Sequence, residues 1–91
     1  MSEASQAIEA ALHDAFQPTV LEVINESHLH AGHRFGGVDS HFALKLVSEQ
    51  FEKKSLVQRH RLVYDCLDFA FKKGLHALKI KAYTPAEWKQ L

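Results

Sequence analysis

The sequence predicts a single α+β domain over residues 1–91, with a three-stranded mixed sheet covered on one face by helices in the order αββααβα. Three observations predict it. An amphipathic helical stripe opens the chain, three short β-rich segments follow at wide spacing, and a well-capped helix separates the second of them from the third.

The stripe is Ile8, Ala11, Leu12, Ala15 and Phe16. These positions fall on one side of a helix over residues 5–16. Ser5 is the expected N-cap, and Pro18 ends the element and biases Gln17 toward an extended backbone. Thr19 to Asn25 (TVLEVIN) is short and rich in β-branched residues, which predicts a strand. His41 to Ser48 predicts a second strand, with Phe42, Leu44 and Leu46 on one face. The polar stretch between them, Glu26 to Ser40, is a long loop for a chain of 91 residues, a length usually associated with function. Strand, loop, strand suggests an antiparallel pair.

A short turn is expected around Phe51 to Lys54. Ser55 and Gln58 then form a capping-box pattern, and Leu56, Val63, Leu67, Ala70 and Phe71 are the expected buried stripe of the helix that follows. Lys72 and Lys73 suit its C-terminal end, and Gly74 supplies a left-handed cap. This helix is long enough to be a crossover, right-handed if the strands it joins are parallel. His76 to Tyr83 is the third strand, with Leu78, Ile80 and Ala82 on one face and Lys79 and Lys81 on the other. Thr84-Pro85-Ala86-Glu87 starts a short last helix anchored by Trp88.

Composition narrows the functional classes. The chain has one cysteine, Cys66, which excludes an intrachain disulfide and a cysteine-only metal site and fits a reducing compartment. Formal charge is zero, yet residues 1–40 carry six acids against one base and residues 41–91 carry five acids against ten bases. That asymmetry is a weak signal for nucleic acid beside the simpler reading of a mixed, solvated surface. Apolar runs are far too short for a membrane span, and the N-terminus lacks the pattern of a signal peptide. The expected location is the cytoplasm, or the mitochondrial matrix if a presequence has been removed.

Histidine is the unusual residue, seven in 91. His28, His30 and His33 lie in the long loop as H-x-H-x-x-H, and imidazole nitrogen suits zinc, copper, iron or nickel. Solvated loop histidines are the plainer alternative. His76 opens the third strand, where a functional reading needs a partner that the loop could supply. Arg59 and Arg61 could meet phosphate, or Arg59 could tie down its neighbours from the side of the helix that carries Val63. Cys66 has no adjacent cation to generate a thiolate and is expected to pack. Asp65 and Asp68 look like solvated helix surface. No P-loop, G-x-S-x-G or dinucleotide fingerprint is present, so no catalytic residue is assigned.

Several motifs in order resemble the BolA family from about Ala7 to Trp88. They are Phe16-Gln17-Pro18, Leu21-Glu22-Val23 with Asn25-Glu26-Ser27, Ser40-His41-Phe42 with Val47-Ser48, Phe51, Gln58 to Val63, His76-Ala77-Leu78, and Tyr83-Thr84-Pro85 with Trp88. The resemblance implies a fold similar to a class II KH domain. It implies a non-enzymatic protein that pairs with a monothiol glutaredoxin, in a heterodimer with or without a bridging [2Fe–2S] cluster. In that picture glutaredoxin and glutathione supply thiolates, while this chain supplies His76 and one loop residue. The match favours His30, with His33 as the alternative and His28 third. No cofactor is expected on the isolated chain, and neither a membrane nor a small-molecule substrate is implied. Some members of the family are described as transcriptional regulators, so DNA is the second expected partner, through Arg59, Arg61, Lys79 and Lys81. Two departures stand out: Lys53 occupies a turn position where the family often has Gly, and the G-x-x-G loop of nucleic-acid-binding KH domains is missing.

Overall fold

The computed structural model describes residues 3–26 and 41–91. The elements are α1 (Glu3–Phe16), β1 (Val20–Asn25), β2 (His41–Val47), a 3₁₀ turn (Glu49–Phe51), α2 (Leu56–Cys66), α3 (Asp68–Lys72), β3 (Ala77–Tyr83) and α4 (Pro85–Lys89). Helices and strands thus alternate as αββααβα. The sheet order is β1-β2-β3, with β1 antiparallel and β3 parallel to β2.

Register explains the core. Leu21, Leu46 and Ala82 lie side by side, as do Val23, Leu44 and Ile80. These rows face Ile8, Leu12 and Phe16 of α1 and Val63 and Leu67 of α2, with Phe42, Leu46, Phe51, Val63 and Leu67 essentially inaccessible. The opposite rows, Glu22-Lys45-Lys81 and Ile24-Ala43-Lys79, face outward. At one end of that outer face α4 reaches over, and Trp88 packs its ring 5.7 Å from Tyr83 and 5.6 Å from the Lys45 ammonium.

Four local expectations change. Helix α1 begins at Glu3, and Ser5 is a buried residue within it rather than its cap. Gln17 is left-handed, φ 42°, not extended. Its amide completes the last helical bond, to His13 O, while its side-chain amide donates to Asp14 O (2.6 Å) and its carbonyl accepts from Gln50 Nε2 (2.8 Å). These bonds offset a left-handed cost of about 1–2 kcal/mol, so helix termination wins over the pre-proline preference. The helix expected up to Gly74 breaks at Leu67, whose φ −101°, ψ 15° separates α2 from α3. Leu56 is 64% exposed, because the first turn of α2 lies clear of the core and Arg59 takes the core-facing position.

Arg59 is 6% exposed, and every part of its guanidinium is engaged. Nη1 and Nη2 grip Glu87 at 2.7 and 3.2 Å, Nη1 also donates to Ala82 O, and Nε donates to Lys54 O. Glu87 in turn accepts from the Thr84 amide (2.9 Å) within the α4 capping box. The fork therefore ties the start of α2, the end of β3 and α4 together, as the structural reading of Arg59 requires and the phosphate-binding one does not. The Arg59 hydrogen bonds and the Thr84 amide hold the Glu87 carboxyl at about 2, well below its ordinary value. Ser55 and Gln58 form the expected capping box.

Two predictions follow from these contacts. Lys53 sits at φ 64°, so the turn keeps a glycine-like backbone with a lysine in it. Lys53→Gly should raise stability in urea unfolding by about 0.5–1 kcal/mol, the left-handed relief less the entropy glycine adds to the unfolded chain. Arg59→Met should lower it by about 1–3 kcal/mol at neutral pH, chiefly by removing the buried donor to Ala82 O and Lys54 O. The unfolded chain protonates Glu87 near its ordinary value, whereas the folded chain resists protonation down to about 2. This contribution is complete above the ordinary value and is lost as pH falls from there toward the folded one. Unfolding curves through that window should show the loss in the native protein and a smaller loss in Arg59→Met, where the Thr84 hydrogen bonds alone still lower the Glu87 carboxyl.

Candidate functional site

Helix α3 ends in a Schellman pattern. Leu75 donates to Ala70 O (3.0 Å) and Gly74 to Phe71 O (3.3 Å), with Gly74 at φ 116°. The motif turns Leu75 into the core and leaves the next side chain, His76, exposed at the entrance to β3. Parallel pairing then sets Ala77 beside His41, the first residue of β2. The His41 and His76 rings lie with centroids 6.3 Å apart at an interplanar angle of 40°.

The same corner anchors both ends of the histidine-bearing segment. Glu26, at the end of β1, donates its amide to His41 O (2.8 Å), and its carboxylate pairs with Lys79 at 3.3 Å. The described chain therefore stops at Glu26, two strands from β3, and resumes at His41, on the strand next to it. His28, His30 and His33 themselves lie outside the described residues. Among the described residues no group of three histidine, cysteine, aspartate or glutamate side chains could hold a metal ion. The chemistry that the described residues offer at this corner is thus two imidazoles, fewer donors than a metal site within one chain uses.

His41 is the residue that the sequence reading did not single out as a site. Its signal was present in Ser40-His41-Phe42, but its closeness to His76 depends on the parallel register, which no local pattern specifies. Cys66 packs as expected: its thiol lies 3.4 Å from Ala11 O, and burial, helped by the Asp14 charge, pushes its pKa up and keeps it protonated. Asp68 pairs with Lys72 at 2.9 Å on the helix surface.

The basic residues do not converge. Arg59 is buried in its clasp, Arg61 is exposed on the helical layer, and Lys79 and Lys81 project from the opposite, outer face of the sheet. Lys79 is further engaged by Glu26. Among the described residues no helix is long and apolar enough to cross a membrane.

The family model for BolA-like proteins matches residues 12–87. The chain is 49% identical over 86 residues to SufE-like protein 1, chloroplastic/mitochondrial, of Arabidopsis thaliana, an alignment covering 88% of this chain and 23% of that much longer protein. It is 46% identical over 84 residues to a DNA-binding transcriptional regulator BolA of Vibrio cholerae, covering 92% of this chain and 77% of the relative. Among solved structures, the BolA domain of SufE1 from Arabidopsis thaliana superposes with a TM-score of 0.88 at 46% identity, over 96% of this chain and 98% of that one. A family match across most of the chain, and the same sheet and helices in a solved relative, lead to one conclusion: the chain belongs to the BolA family.

Proposed function

We propose that the chain is a non-enzymatic partner of monothiol glutaredoxins that lends histidines to a bridging [2Fe–2S] cluster, in cluster assembly, trafficking or iron regulation. The observation that carries this reading is the exposed His76 at the corner where both ends of the histidine-bearing segment are anchored. An incomplete imidazole set fits a group shared between two proteins better than one held by this chain alone. When bound, such a cluster would supply redox-active iron, with a potential raised by imidazole in place of thiolate and a ligand that can be protonated. The chain's contribution is His76 and one loop histidine, with His30 favoured, His33 the alternative and His28 third. Glutaredoxin and glutathione supply the thiolates, and the isolated chain carries no cofactor. The place of action is the cytoplasm or an organelle matrix, the latter supported by the organellar name of the plant relative.

The second reading, DNA binding, rests on the names of bacterial relatives. Its remaining surface is Arg61 or Lys81, on opposite sides of the sheet, without the buried Arg59. A DNA-binding chain would show affinity that falls steeply with salt.

The deciding experiment mixes the chain with a monothiol glutaredoxin, glutathione, iron and sulfide, and records molecular size and visible circular dichroism. The expected result is a heterodimer whose cluster spectrum differs from that of the glutaredoxin homodimer. His76→Ala should return the spectrum to the homodimer's while leaving far-ultraviolet circular dichroism unchanged. His30→Ala should weaken the mixed species far more than His28→Ala. A mixed spectrum unaffected by all of these substitutions, or no complex at all, would overturn the reading.

A further inference from the structure

Helix α2 reverses the usual division of a surface helix. Its buried residues are Arg59 and Val63, an arginine and one aliphatic side chain. It exposes Leu56, Val57, Leu62 and Tyr64, whereas elsewhere among the described residues only Ile24 and Leu91 are large apolar side chains left exposed. A surface helix ordinarily carries polar residues on its solvent side. Val57, Arg61 and Asp65 follow one another at four-residue spacing down the middle of that side, with Tyr64 on one flank and Leu62 on the other. The Tyr64 ring is held by stacking on Phe71 of α3, with centroids 5.2 Å apart at 18°. Arg61 and Asp65 are both exposed and, among the described residues, form no ion pair with each other or with any other group. Asp68 and Lys72, at the same spacing, do pair, at 2.9 Å. Order accounts for the difference: an acid preceding a base is the favourable arrangement on a helix, and a base preceding an acid is the poorer one.

We infer that the solvent side of α2 is a self-association surface, on which two copies of this chain pack their α2 helices antiparallel about a two-fold axis. Symmetry and charge together fix the register. An axis level with Arg61 sets arginine against arginine, and one level with Asp65 sets aspartate against aspartate. An axis midway between them sets Arg61 of each copy against Asp65 of the other. That axis also brings Tyr64 beside Tyr64 of the second copy along one flank, and Leu62 beside Leu62 along the other. The two charges that α2 leaves unpaired within one copy are thereby satisfied between copies, with an apolar contact on either side of them. A second copy is the partner that fits, because the helix that leaves the arginine open carries the aspartate that closes it. One pair of short helices buries little surface, so the association belongs to the weak class, below about 1,200 Å². The inference is independent of glutaredoxin, metal or nucleic acid.

The test uses the full chain alone, by sedimentation equilibrium from micromolar to millimolar concentration, beside Arg61→Asp, Asp65→Arg and the double variant that exchanges the two. All these positions are exposed, so far-ultraviolet circular dichroism should stay unchanged. Each single variant replaces two attractive contacts by two repulsive ones and should weaken the dimer about tenfold. The double variant restores opposite charges across the axis and should recover most of the loss. A general effect of charge or of helix stability predicts no such recovery. An isotope-filtered Overhauser contact between the Leu62 methyl groups of a labelled and an unlabelled copy would support the register directly. A chain that stays monomeric at millimolar concentration would overturn the inference. So would a dimer indifferent to the single variants, or one that the double variant fails to recover.

Discussion

Parallel pairing of β2 with β3 is the constraint on which the rest of the molecule depends. A parallel neighbour cannot be reached by a tight turn, so the chain must cross the sheet, and α2 with α3 is that crossing. The crossing supplies Val63 and Leu67 to the core above Leu44 and Leu46. It also makes the two strands start at the same corner, so that the first residue of β2, His41, stands beside the first of β3. Antiparallel pairing with β1 brings the end of that strand to the same place. One topological choice therefore gathers His76, His41 and both anchors of the histidine-bearing segment, though they are far apart along the chain.

The other end of the sheet is where the fold is tied. Ser48 donates to Phe16 O at 2.8 Å and its amide bonds Tyr83 O, while Phe16 and Phe51 rings pack 5.1 Å apart. The Arg59 fork joins α2 to β3 and α4 nearby. A buried guanidinium is costly unless its donors are filled, and here two carbonyls and a carboxylate fill them. The arrangement specifies where α4 lies more than it adds net stability, since a single short helix with Trp88 could otherwise settle at several places on the outer face.

Much of this was legible locally. Period-two alternation assigned Phe42, Leu44 and Leu46 to one face, the caps at Ser55 and Thr84 were written in adjacent residues, and Gly74 announced its left-handed turn. The misses share a physical origin. Ser5, Leu56 and Gln17 are local signals overruled by what packs against them: a helix that starts earlier, a first turn that overhangs the core, and a side chain that finds Asp14 and Gln50. Arg59 was ambiguous because a helical position gives the direction of a side chain but not the acceptors waiting there. His41 was invisible as a neighbour of His76 because register is a long-range property. His30 and its companions are singled out by motif order alone and lie outside the described residues.

Tie and corner are separated by the length of β2 and β3, and that separation has a consequence for how the protein can change. Residues at the tied end are buried and mutually satisfied, so substitution there acts through stability. His76 is exposed at the entrance to β3, with its ring 6.3 Å from that of His41. A glycine turn and a strand register hold the backbone at this position, so substitution there leaves the buried core contacts in place. The fold thus fixes where the imidazole begins, through the Gly74 turn and the pairing of Ala77 with His41.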